Sequence, residues 1–113
     1  MIFDKGCFLS RLEGDELLAS EIIAMFLQEC PKLLANVHQA AEQRNASRLV
    51  RAVHSLKGSV GDLAAPQAFE AARDLEQMAR EERLEDADAA LRSLEVALHR
   101  LVQELRQHEK MAA

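Results

Sequence analysis

Of the four histidines in this chain, His54 keeps the company that chemistry on an imidazole asks for. In RAVHSLKGSVGDLAA, residues 51–65, Arg51 and Lys57 stand one turn before and after it, and Gly58 and Gly61 follow at the next helical steps. At about 100° per residue, Ser47, Val50, Arg51, His54, Lys57, Gly58 and Gly61 share one helix face, opposite an apolar stripe. The imidazole on such a face looks outward. Two flanking cations would stabilise a phosphoryl group on the ring or attract an acidic partner, and glycines leave the ring open to approach.

The glycines need a reason, because each one inside a helix costs about 0.5 to 1 kcal/mol relative to alanine. Gly61 has two: it clears the face, or its Gly-Asp step marks the end of the helix. Gly58 has only the first, since Leu56, Val60 and Leu63 carry the pattern past it.

A second group belongs to the same question. Glu76 falls with Phe69, Ala72 and Ala79 on the inward half of a later helix, an expensive position for a carboxylate without a partner. A carboxylate accepting from the Nδ1–H of His54 would fix the tautomer and leave Nε2 as the exposed nucleophile. Spacing alone equally allows Glu76 to turn outward onto Arg73 or Arg80.

The elements that must hold these groups are all helical. Asp4 caps a short first helix with Phe8, Leu9 and Leu12 as its apolar patch and Gly14 at its end. Asp15 caps a long second helix to about Gln43, whose apolar series is Leu18, Ile22, Ile23, Phe26, Cys30, Leu33, Val37 and Ala41, bent at Pro31. Asn45 caps a third, carrying Leu49, Ala52, Val53, Leu56, Val60 and Leu63 and ending near Asp62 or Leu63. Pro66 opens a fourth that buries Phe69, Ala72, Leu75 and Ala79, and the last shows a seam of Leu91, Leu94, Leu98, Leu101 and Leu105. The expected fold is all-α, an antiparallel up-down-up-down four-helix bundle with a short N-terminal lid helix, one domain over residues 1–113.

Composition narrows the function classes. The 113 residues are 49% hydrophobic and 29% charged, with no Trp or Tyr, which fits a soluble helical domain. A net charge of -5 argues against a nucleic-acid binder, which carries a basic excess. No signal peptide or membrane-length apolar run is visible, so no membrane partner and a cytoplasmic location are expected. Cys7 and Cys30 lack the spacing of a zinc site or disulfide framework and read as reduced structural thiols. A di-metal carboxylate bundle needs Glu-x-x-His pairs, and no histidine here has Glu three residues before it, so no metal is expected.

The segment HSLKGSVGDLAA resembles the phosphorylation motif of histidine-containing phosphotransfer (HPt) domains, roughly H-x-L-K-G-S-x-x-N-[LIV]-G-A, through His54, Leu56, Lys57, Gly58 and Ser59. The likeness extends through FDKGCFLSRLEGDELL, through MFLQECPKLLANV with its mid-helix proline, and to the Asp-Leu-Glu ending at Glu76. Asp62 and Ala64 depart from the pattern, where Asn and Gly are frequent.

The resemblance implies a phosphorelay intermediate in which His54 accepts and donates the phosphoryl group, Lys57 balances its charge, Gly58 gives clearance and Glu76 orients the imidazole. It implies response-regulator receiver domains and a hybrid sensor histidine kinase as partners. Mg²⁺ is expected in the receiver, and no cofactor here. No nucleotide motif is present, so the chain is not expected to bind ATP or phosphorylate itself. The expected docking surface takes in Val50, Arg51, Gly58 and Gly61 with Leu9 and Leu12 of the lid and Leu18 and Ile22 of the second helix. A monomer is expected. The competing reading is a non-catalytic helical interaction bundle in which His54 is incidental.

Overall fold

The computed structural model describes residues 1–112, and every regular element in them is a helix. In order these are α1 (Lys5–Arg11), α2 (Glu16–Glu42), α3 (Ala46–Asp62), α4 (Pro66–Arg80) and α5 (Leu84–Ala112). The starts follow from side chains able to hold a free backbone N–H. Asp4 accepts from the Cys7 amide, Asp15 from that of Leu18 and Asn45 from that of Arg48, each at 3.0 Å. Pro66, whose missing N–H is no loss at a first turn, opens α4. Pro31 lies inside α2, which continues through it as one helix.

The ends of α1 to α4 are all Schellman closures built without glycine at the left-handed position. Glu13, Arg44, Ala64 and Glu82 take φ of 55°, 51°, 56° and 56°. At α3 the Ala64 amide donates to the Gly61 carbonyl and the Ala65 amide to that of Val60. Ala64, where the resembled pattern frequently has Gly, thus holds a position where a Cβ is strained. Gly61 does not end the helix, which runs on through Asp62.

The four long helices enclose one apolar core. Leu49, Val53, Leu56, Val60 and Leu63 fill it from α3 and the turn after it, and Leu91, Leu94, Leu98, Leu101 and Leu105 from α5. Two expectations are corrected. Leu18 is exposed and Ala19 takes the inward position on α2, while Phe69 is 36% exposed and Ala68 points inward on α4. In both helices the edge of the stripe lies one residue from where the larger apolar side chain suggested. Cys7 and Cys30 are free thiols, and burial pushes that of Cys30 up, keeping it neutral.

The helices differ in length, 27 and 29 residues for α2 and α5 against 17 and 15 for α3 and α4, and the molecule measures 42 × 20 × 19 Å. The N-terminal segment and α1 cover the overhang. Phe3 packs against Phe8 and the edge of His108, the Asp4 amide bonds the Ala64 carbonyl, and Arg11 donates to the Gly61 carbonyl at 2.7 Å. No described helix is long and apolar enough to cross a membrane.

Candidate functional site

The sequence of α3 divides its two sides sharply. Its buried stripe locks the helix against the core, and the opposite face carries His54 at the surface, with its side chain 64% exposed. From α4, Glu76 is the one buried charged residue among those described, 6% exposed beside Ala72, Leu75 and Ala79.

Glu76 meets the histidine. His54 Nδ1 lies 3.0 Å from Glu76 Oε1, and since a carboxylate can only accept, Nδ1 carries the proton and Nε2 is turned to solvent. The other oxygen, Oε2, accepts from Lys57 Nζ at 3.3 Å and from Nε and Nη2 of Arg80, each at 3.2 Å. Both arrangements open to Glu76 on spacing are therefore realised at once, one on each oxygen, whereas Arg73 pairs with Glu70 instead. Burial by itself pushes the Glu76 carboxyl up; the bonds from His54, Lys57 and Arg80 outweigh it, and the net displacement is below the ordinary value of 4.5. Glu76 is thus an anion held under the ring by three donors.

The other expected site residues separate by location. Lys57 is half-buried and donates its ammonium to the same Glu76 carboxylate that holds the ring. Gly58 is exposed, and a Cβ there would meet nothing within 4 Å. Gly61 has a different reason from the one its position on the wheel suggested, because a Cβ there would come 3.3 Å from the Phe69 ring. Its bareness seats Phe69. Val50 and Arg51 border a hollow of about 390 Å³ beside His54, together with Ser55 and Arg80.

Leu9, Leu12 and Ile22 are half-buried against the core, and Leu18 is exposed. Ile22 lines a separate groove with Met25, Ser59 and Asp62. The hollow under the lid, lined by Cys7, Arg11, Gly61 and Phe69 among others, shares no residue with the one at His54.

Arg80 is the residue that sequence reasoning placed only as a surface partner of Glu76. It touches the carboxylate and also walls the space beside the imidazole. The signal was its position one turn beyond Glu76, on the side of α4 that faces the start of α3. Among the described residues no cluster of metal-binding side chains occurs.

Comparisons with known proteins bear on the family and the fold. The family model for the Hpt domain matches residues 21–108. Histidine-containing phosphotransfer protein B (HptB) from Pseudomonas aeruginosa PAO1 superposes with a TM-score of 0.90 at 22% identity, over 97% of this chain and 96% of that one. The HPT domain of a sensor hybrid histidine kinase from Shewanella does so with a TM-score of 0.85 at 17% identity, over 97% and 95%. These likenesses carry the all-helical fold. No curated protein matches the sequence.

Proposed function

The chain belongs to the Hpt domain family, a family of histidine phosphotransfer carriers in phosphorelays, and from that premise we propose that His54 is its phosphoacceptor, exchanging a phosphoryl group with the aspartate of response-regulator receiver domains. One observation carries the reading: an exposed imidazole whose Nδ1 is tied at 3.0 Å to a buried, ionised Glu76, leaving Nε2 free. In the forward step the Nε2 lone pair forms the N–P bond while the P–O bond to the receiver aspartate breaks, and that aspartate leaves as a carboxylate. The ring keeps its Nδ1 proton and becomes cationic, and the Glu76 carboxylate stands opposite that charge.

Phosphoryl transfer needs positioning and charge neutralisation more than covalent help from the protein. Here Glu76 supplies the first for the nucleophile, while Lys57 and Arg80, which share that carboxylate with the ring, would balance the charge of the new phosphoryl group. Gly58 keeps the next turn bare for the partner. The partner's Mg²⁺ and acidic site would contribute the rest. Hybrid sensor kinases fit as partners, and we read residues 1–113 as one bundle domain that acts as a monomeric, cytoplasmic carrier.

Incubation with a phosphorylated receiver tests the reading. Wild-type protein is expected to take up an acid-labile label that His54→Gln does not, and equal labelling of the variant would leave only a non-catalytic interaction bundle.

A further inference from the structure

The hollow at His54 does not stop at the ring. Val50, Arg51 and Arg80 also line a groove of about 410 Å³ between the first turns of α3 and the last turn of α4, with Ser47, Ala79 and Glu82 along it. The chain is acidic overall, yet α3 carries Arg48, Arg51 and Lys57 before its first acid, Asp62.

Most cations near this groove are already engaged. Lys57 and Arg80 hold Glu76, Arg48 donates to Gln43 and Gln39, and Arg44 reaches the Leu84 carbonyl. Arg51 is different. It is exposed, one turn from His54, and its guanidinium has no hydrogen-bond or ion-pair partner among the described residues. A planar fork of unpaired donors grips an oxyanion, phosphoryl or carboxylate, through two parallel bonds, and because the groove at Arg51 leads away from the ring, the group it fits there is a carboxylate of the partner.

We propose that the Arg51 end of this groove anchors an acidic segment of the receiver, a carboxylate flanking its phosphoaccepting aspartate, and so sets which receivers this carrier accepts. The proposal rests on the phosphotransfer reading and adds the direction in which the partner lies, from His54 toward the start of α3. Glu82 lines the same groove with negative charge, so the acidic segment sits over Arg51 and does not extend along it. Charge pairing of this kind at a rim chiefly raises the rate of productive encounter and is weakened by salt.

The probe is the receiver domain that, loaded with acetyl phosphate and Mg²⁺, passes its label fastest to the wild-type protein. Arg51→Glu is expected to raise the KM for that receiver about tenfold or more and to flatten its dependence on NaCl, with Arg51→Lys in between. Because Arg51 is exposed and unpaired, circular dichroism of both variants should match wild type. A KM within twofold of wild type for Arg51→Glu, while His54→Gln is dead, overturns the anchor and leaves the relay histidine standing. Should no receiver label the wild-type protein, or should His54→Gln be labelled as well as wild type, the phosphotransfer reading and the anchor fall together.

Discussion

At the scale of the residue, the bond between His54 and Glu76 divides the labour of the site: one nitrogen is committed to the protein and the other to the partner. Glu76→Gln keeps an acceptor for Nδ1 but removes the charge that Lys57 and Arg80 hold, so transfer should slow about tenfold, and stability should fall by about 1 to 2 kcal/mol in urea titration. The acid dependence has a definite sign. Folding lowers the Glu76 pKa below 4.5, so the unfolded chain binds that proton first, and the stabilisation present above 4.5 is lost as pH falls through the lower folded value. The gap in stability between wild type and Glu76→Gln should therefore shrink from about pH 6 to about pH 3. The two glycines separate by surroundings. Gly58→Ala places its methyl in open space and should raise stability by about 0.5 to 1 kcal/mol while slowing transfer to receivers. Gly61→Ala must displace the Phe69 ring and should gain less in the same melting experiment. A Gly58→Ala variant that transfers at the wild-type rate would show that clearance is not what that glycine provides.

At the scale of the element, the starts of α1 to α4 and the ends of α2 and α3 were legible, while the way the ends close was not, for a physical reason. Asp4, Asp15 and Asn45 each have a short side chain that can reach back to a free amide, and Pro66 has a ring that fits a first turn, so residue type alone marks the boundary. The ends are closed by Glu13, Arg44, Ala64 and Glu82, whose types give no hint of a left-handed backbone; packing of the flanking helices holds them there. Phe69 was misplaced because periodicity finds the middle of an apolar stripe better than its edge, and a large aromatic at the edge can lie flat over a neighbouring glycine. The Lys57 contact was hidden by its long stem, which can turn its charge to either side of the helix. Glu82 is exposed and its side chain has no hydrogen-bond partner among the described residues, so Glu82→Gly should relieve the strain and raise the unfolding free energy by about 0.5 to 1 kcal/mol, read from the denaturation midpoint.

At the scale of the whole molecule, the leucine seam of α5 and the stripe of α3 made the bundle readable, because both recur at helical spacing without interruption. The placing of charge over the surface was not readable, since it depends on which faces the topology sets side by side: the start of α3 against the end of α4, and Arg51 near Arg80. The unequal helix lengths have a consequence of their own. Beyond the reach of α3 and α4, the long rods are closed over only by the N-terminal segment and a seven-residue helix, latched through Asp4, Arg11 and Phe3. None of the bonds that hold Glu76 beneath the imidazole comes from that latch, so the grip on the ring does not depend on the far end of the rods staying closed.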